Sequence, residues 1–496
     1  MSTHHVEDER TDPNPRMNAS QRWTLALTAT ASLMVVLDML VVTTALNRIR
    51  LDLGASIADL EWTITAFTLS FAVLLLPASA LGDRLGRRRM FVAGVAVFTV
   101  ASAACALAPD AAALITARTV QGAGSALIMP HAMVLLSVAF PGRQRAKALG
   151  AFSSVTGLGT VGGPVVGGAI TQGLDWHWIF WINVPLGVLL VPLARARMAE
   201  STGPSRRLDV VGVALVTAAA FGLVWGLVRG NSVGWTGGET IGTLTGGALL
   251  TAAFIGWELH TASPMLPMHF FRTPAFSGGN TAGFLMYACT VGATFLLAQY
   301  LQAGLGYDPL ATGLRLIPWT LTLTLIAPLT GSLVPRVGER PLLVGGLVVL
   351  AVSMAWVALL SGPTLSYPAL IPPLALGGCG LSFAMPAAQH AVLGAVPPAA
   401  VGAASGVFNT LRQFGSTFGV AILSAVFAAS GDYGSPKSFS DGFRPALGVA
   451  AMLALGGAIA GAWTPTRNRN AVSAPVSATV SAPASAPTPA STSTSS

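Results

Sequence analysis

Long apolar runs, each closed by a short turn of glycine, proline or charged residues, follow one another from about residue 22 to 465 of this 496-residue chain. Fourteen stand out, at roughly 23–46, 60–81, 89–108, 111–139, 147–171, 179–195, 208–229, 240–259, 278–302, 312–334, 341–361, 367–393, 402–429 and 444–464. A helix that crosses a bilayer needs about 20 apolar residues, whereas a helix on a soluble core alternates apolar and polar faces. The pattern predicts fourteen transmembrane helices with no large soluble domain between them. Residues 1–21 are polar and charged, without the basic–apolar–small order of a removable leader. Past about Asn470 Ala, Pro, Ser and Thr dominate, so residues 466–496 are expected to be a disordered tail.

Composition supports the same class. Hydrophobic residues make up 53% and charged residues only 9%, against roughly 25% charged in a soluble domain. The 55 glycines and 32 prolines suit membrane helices that pack closely and contain breaks. Cys105, Cys289 and Cys379 sit singly in apolar runs, with neither disulfide nor metal spacing. The net charge of +8 does not indicate nucleic-acid binding, because the basic residues cluster in alternate loops. Arg84, Arg87, Arg88 and Arg89 fill one, and Arg143, Arg145 and Lys147 the next. Arg195, Arg197, Arg206 and Arg207, then Arg272, then Arg336 and Arg340 continue the series. The opposite loops around Pro109, Trp235 and Gly362 carry almost none. By the positive-inside rule both termini are expected in the cytoplasm of a multi-pass cell-membrane protein.

The turn Gly82-Asp83-Arg84-Leu85-Gly86-Arg87-Arg88 after the second run has a counterpart after the tenth, from Gly331 to Arg340. Each has a small residue at a helix end, an Arg-x-Gly turn and a further basic residue. Two six-helix halves with an extra pair between them, at about 208–259, would place these turns at equivalent positions.

Few residues could carry chemistry. Asp38 stands mid-run in Leu37-Asp38-Met39. A carboxylate there costs about 2.5–3.5 kcal/mol on insertion scales, and burial against a nearby cation makes it a proton switch. Asp59, Glu61, Asp175, Asp209, Glu239, Glu258 and Asp308 fall at segment ends, which leaves Asp38 as the one acid expected deep in a span. Arg118, in the fourth run and followed by Gln121, is the natural partner, since an intramembrane arginine faces the bundle interior and pairs with an acid. In the fifth run Gly150, Gly159, Gly163, Pro164, Gly167 and Gly168 give a helix a smooth face and a kink, for tight packing or for a hinge that occludes a cavity. Asp83, Arg84, Gly86 and Arg87 form a charged turn that could latch one conformation. Arg412 and Gln413 are candidates for a cavity wall, as is Gln121, while His131 and His390 read as structural. No phosphate-binding loop, metal set or nucleophile elbow is present, so neither an enzyme nor a bound cofactor is expected.

Together these motifs resemble a transporter of the major facilitator superfamily, in its fourteen-span drug:proton antiporter branch, similar to EmrB/QacA-type multidrug efflux proteins. The run from Gly150 to Gly168 matches the branch's fifth-helix antiporter motif. Trp176-His177-Trp178 through Pro185-Leu186-Gly187 resembles the signature before helix six. Gly82 to Arg88 resembles the loop two–three motif, Arg118-x-x-Gln121-Gly122 the fourth-helix motif, and Leu37-Asp38 through Leu46 the first-helix motif. The chain departs from the family pattern at His177, Asn47, Ser79 and Phe67, where Arg, Pro, Gly and Tyr are usual.

The resemblance implies an all-α fold of two six-helix halves and two extra central helices. Residues 1–21 would then be a cytoplasmic tail, 22–200 the first half, 201–262 the extra pair, 263–465 the second half and 466–496 the tail. It implies a monomeric antiporter, driven by the proton gradient, that exports drugs or antibiotics, with self-resistance one such role. Asp38 and Arg118 would couple protons, and the charged turn and the glycine run would gate. The scarcity of acids points to hydrophobic neutral or monocationic substrates. Alternatives are an exporter of an endogenous metabolite or an importer of the same fold; the antiporter motif argues against import.

Overall fold

The computed structural model describes residues 17–140, 143–202, 209–262, 264, 266, 268–397 and 401–465. Most of the amino-terminal tail, Arg206, Arg207 and the carboxy-terminal tail lie outside these. Fourteen long helices are present among the described residues. The first six are α1 (Ala19–Leu53), α2 (Ile57–Leu85), α3 (Arg87–Ala106), α4 (Ala111–Ala139), α5 (Arg143–Gly173) and α6 (Trp178–Arg197). The extra pair is α7 (Val210–Val233) and α8 (Gly238–His260). The last six are α9 (Pro274–Gly304), α10 (Pro309–Arg315 continued as Ile317–Val337), α11 (Glu339–Leu360), α12 (Tyr367–Gly394), α13 (Val401–Ser430) and α14 (Pro436–Ala462). Thirteen are long and apolar enough to cross a membrane. The remaining helix, α5, has 31 residues, more than enough to cross a membrane.

Acids at segment ends terminate helices. Asp110, Asp209 and Asp308 each accept a hydrogen bond from a first-turn backbone N–H, and Asp59 accepts one from the Ser56 N–H, which satisfies groups the helices leave open. Asp59 does so in a capping box with Ser56. Two helices break where proline removes a donor: α6 at Ile182, before Pro185, and α10 at Leu316, before Pro318.

The two sets of six repeat one packing scheme. In the first, α1 packs on α5, α4 on α2 and α3, and α6 on α3. In the second, α9 packs on α13, α12 on α10 and α11, and α14 on α11. The repeat extends to backbone detail. Gly86 between α2 and α3 has φ +108°, and Gly338 between α10 and α11 has φ +97°. These values favour glycine, and they explain why both turns keep one at that place.

The halves meet along two seams, α2 with α13 and α5 with α10. We call the end that bears Arg84–Arg89 and Arg336–Arg340 the basic face, and the other end the far face. Several contacts between the halves lie towards the far face. Gln302 of α9 donates to the Thr44 carbonyl of α1 at 2.9 Å, and the Leu310 amide donates to Gln172 at 3.3 Å. The Arg50 guanidinium lies 4.9 Å from the Tyr433 ring centroid. At mid-helix Thr417 of α13 donates to Thr68 of α2 at 2.9 Å. The helices α7 and α8 pair with each other outside the α2–α13 seam. Phe221 and Trp225 of α7 stack near Trp62 of α2, with centroids 5.9 and 5.7 Å away.

Candidate functional site

Five helices of the first half converge on Asp38. It lies mid-way along α1, only 2% exposed. Arg118 of α4, 1% exposed, donates from Nη1 to Asp38 Oδ2 and, at 2.7 Å, to Gln121 Oε1. Its Nε donates to the Thr63 carbonyl of α2 at 3.2 Å, and its guanidinium stacks 4.2 Å from the Phe67 ring centroid. Phe67 stands where the family pattern has tyrosine, so the arginine gains an aromatic face there without a competing hydroxyl. Gln121 Nε2 donates to Asp38 Oδ1 at 2.9 Å, and Asn183 Nδ2 of α6 donates to the same oxygen at 3.0 Å. Ser102 of α3 accepts from Asn183 and Gln121 and donates to the Phe180 carbonyl.

Local sequence explains the convergence. The break before Asn183 frees the first turn of the second α6 segment to aim its amide at Asp38. Gly122, beside Gln121, lets α4 approach α2 closely: a methyl there would lie 2.3 Å from the Phe67 carbonyl oxygen. Three donors reach two carboxylate oxygens. An ionised carboxylate only accepts, so it satisfies all three at once. Desolvating such a pair is costly, and removing one partner while the other stays buried costs about 3–5 kcal/mol.

The structure corrects two sequence expectations. Gln121 is not a cavity wall, since it is wholly buried and committed to Asp38 and Arg118. Asp38 is not the one deep acid. Glu61, one turn inside α2, is 4% exposed and faces Ser424 of α13 across the seam between the halves. Glu258 is buried as well, and it accepts from the Leu266 amide at 3.0 Å. Asn183 and Ser102 were missed as partners of Asp38. Asn183 stood within the quoted helix-six signature, and that was the signal available.

The glycine run divides its work between two neighbours. Gly159, Gly163 and Gly167, four residues apart, face Leu33, Leu40 and Val41–Thr44 of α1. Gly168 faces α10 in the other half: an added methyl would lie 2.3 Å from the Pro309 carbonyl oxygen and 2.8 Å from the Leu310 Cα. Gly313 returns the contact against the Pro164 carbonyl, 2.1 Å from its own added methyl. The kink residue therefore sits at the crossing of the two halves. Among the described residues, a methyl at Gly150 would meet no atom within 4 Å.

The charged turn is satisfied within its own half. Asp83 accepts from Arg87 at 2.8 and 3.0 Å. Glu200, at the end of α6, accepts from the Arg88 amide at 2.9 Å and lies 3.6 Å from Arg88 Nε. Arg84 is exposed. The turn is thus tied to α6 through Glu200, a residue that sequence reasoning passed over. His131 of α4 packs on Gly82, where a methyl would overlap its ring, so it reads as a packing residue. His390 is exposed. In the second half Arg412 is half-buried, with its guanidinium 4.8 Å from the Tyr287 ring centroid, and Gln413 is 3% exposed.

Comparison with known proteins agrees with this architecture. Residues 28–420 match the family model described as Major Facilitator Superfamily. The chain is 34% identical over 340 residues to "Multidrug resistance protein Stp" of Mycobacterium tuberculosis, across 68% of this chain and 63% of that protein. It is 37% identical over 333 residues to "Tetracenomycin C resistance and export protein" of Streptomyces glaucescens, across 67% and 62%. It is 35% identical over 375 residues to "Probable actinorhodin transporter" of Streptomyces coelicolor, across 73% and 65%. The match thus spans less than two thirds of the length of each of these relatives. Among solved structures, a POT family transporter, PepTSo, superposes with a TM-score of 0.68 at 14% identity, over 90% of this chain and 98% of that one, a likeness of fold alone. By helix count, repeated packing and the matched family model, this chain belongs to the Major Facilitator Superfamily.

Proposed function

We propose that the protein is a proton-coupled antiporter that exports hydrophobic drugs or antibiotics across the cytoplasmic membrane, with the basic face and both termini inside the cell. The observation that carries this reading is the Asp38–Arg118 cluster, an ion pair wholly enclosed in the first half and joined to five of its helices. Buried charge at that depth is retained where it is used. The names of the relatives, each a resistance or export protein or a probable transporter, supply the direction and the substrate class.

The cycle follows from the two seams. With α5 and α10 crossed at Gly168 and Gly313, the far face is closed and substrate enters from the basic face. Rocking of the halves parts that crossing and closes the basic face. Helix shifts in the first half would then separate Arg118 from Asp38 and expose the carboxyl to external protons; return to the present state discharges the proton inward. A 100 mV potential supplies about 2.3 kcal/mol per charge, enough for more than a tenfold gradient per proton.

Inverted vesicles that overproduce the protein test this. Dyes of differing charge are supplied with respiratory substrate, and at least one should accumulate and be released by an uncoupler. Accumulation that persists in the uncoupler would remove proton coupling. The charged turn offers a second test. Asp83→Asn cancels one pole of the Asp83–Arg87 pair and is expected to lower the transport rate several-fold without changing binding of the same dye. An unchanged rate reduces the turn to a topology signal.

A further inference from the structure

Asn409, Arg412, Gln413 and Ser416 recur at helical spacing and share one polar face of α13. The neighbouring faces of that helix are occupied. Gly415 and Gly419 lie on the α9 backbone at Phe284 and Ala288. Thr417 bonds Thr68 of α2, and Phe414 packs with Leu69, Ala72 and Val73 of α2. The opposite arc of α13, with Leu411, Phe418 and Ile422, is apolar. The polar face therefore looks into the space between α9 and α2, which the two halves enclose.

Within that space Arg412 is uncompensated. Its guanidinium rests on Tyr287, whose hydroxyl touches the Met385 sulfur of α12 at 3.4 Å. Among the described residues its side chain makes neither an ion pair nor a hydrogen bond, and its buried Nε has no acceptor. The side-chain nitrogen of buried Gln413 has none either. The sequences of α9, α10, α12 and α13 contain no Asp or Glu at all. The Asp38–Arg118 pair is neutral as a unit and sealed inside the other half. Arg315 of α10 donates to the Ala311 carbonyl and stacks on Tyr307 and Tyr367, and Arg336 is exposed, so Arg412 is the guanidinium of these four helices that keeps an unused fork of donors on an aromatic platform. That arrangement repels a cation and matches a planar oxyanion through two parallel hydrogen bonds.

We propose that Arg412 anchors the substrate, and that the substrate class is an aromatic compound bearing a carboxylate or a phenolate. Tyr287 extends the stacking surface, Gln413 offers a further donor, and Met385 supplies an adaptable apolar contact. The expectation of neutral or monocationic substrates drew on the scarcity of acids, and that same scarcity leaves Arg412 without a counter-ion. The proposal rests on the export reading for its biological sense, since an anion leaving against an entering proton moves two charges inward where a monocation would move none.

The test uses the full chain in nanodiscs without any gradient, with two probes on one xanthene scaffold: fluorescein, which carries a carboxylate and a phenolate, and rhodamine 6G, an esterified cation. Anisotropy titration should give fluorescein at least tenfold tighter binding than rhodamine 6G. Arg412→Gln should weaken fluorescein at least tenfold and leave rhodamine 6G unchanged or tighter. Arg412→Lys, which keeps the charge and loses the fork, should fall between. Equal or tighter binding of rhodamine 6G by the unaltered protein would overturn the proposal, and so would failure of fluorescein to bind or full affinity in Arg412→Gln. The comparison on the unaltered protein stands even if a variant misfolds. Because binding is read without a proton gradient, its failure is separable from a failure of uncoupler-sensitive transport in vesicles.

Discussion

Replacing Gly168 by valine should leave the protein in the membrane and lower transport at least tenfold. The added Cβ would come within 2.3 Å of the Pro309 carbonyl oxygen, and the backbone of α10 cannot move aside as a side-chain tip can. Overpacking of this kind costs about 1–3 kcal/mol. Here the cost falls on one conformation only, the one in which α5 and α10 are crossed. A penalty of that size shifts the balance between conformations roughly 5- to 150-fold towards the state with an open far face. Gly159→Ala provides the contrast. Its nearest obstacle is the flexible Leu33 Cδ1 at 2.8 Å within the same half, so transport should stay within about twofold. The direct readout is labelling of a cysteine placed at Thr44, near the far face, by a membrane-impermeant maleimide. Cys379, which is half-buried, is first replaced by serine; background is then low because Cys105 and Cys289 are buried. Labelling that does not rise in Gly168→Val, with transport intact, would reduce the α5–α10 crossing to passive packing.

Asp38→Asn should abolish proton-driven accumulation, and it should also destabilise the protein. The amide cannot take a proton at working pH, and its NH2 group confronts donors where a carboxylate oxygen stood. Arg118 is then a buried charge without a partner, a loss of about 3–5 kcal/mol. The two effects can be separated. In the double variant Asp38→Asn/Arg118→Gln the orphaned charge is gone, so thermal stability should recover most of the loss while accumulation remains absent. Uncoupler-sensitive export at the normal rate in either variant would remove Asp38 from the coupling and direct attention to Glu61, the carboxyl buried at the seam between the halves.

Much of the fold was legible because bilayer thickness writes itself as run length. In α5 the glycine spacing added a packing face to the apolar run. Gly86 and Gly338 carried the internal repeat in two short turns. The site was legible only where a charge stood in an apolar run: Asp38 and Arg118 announced themselves by the cost of being there. Asn183 and Ser102 did not, because a neutral polar residue in a membrane helix carries little penalty and bonds its own backbone as readily as a neighbour. Glu61 was read as an end residue, since the apolar run begins at about residue 60 and the helix α13 that covers it was not visible. Gln121 was assigned to a cavity because a motif gives the residue but not the direction of its side chain. The division of the glycine run, with three faces to α1 and one to α10, needed the crossing of the halves. No local spacing contains that.

The most direct test of the account is proton movement driven by substrate. Proteoliposomes with a trapped pH indicator, held at zero membrane potential, receive a compound to which overproduction of the protein confers resistance. Entry of the compound should drive protons out in fixed proportion, and Asp38→Asn should remove the proton flux. Transport of the compound at an undiminished rate with no accompanying proton movement in the unaltered protein would contradict it.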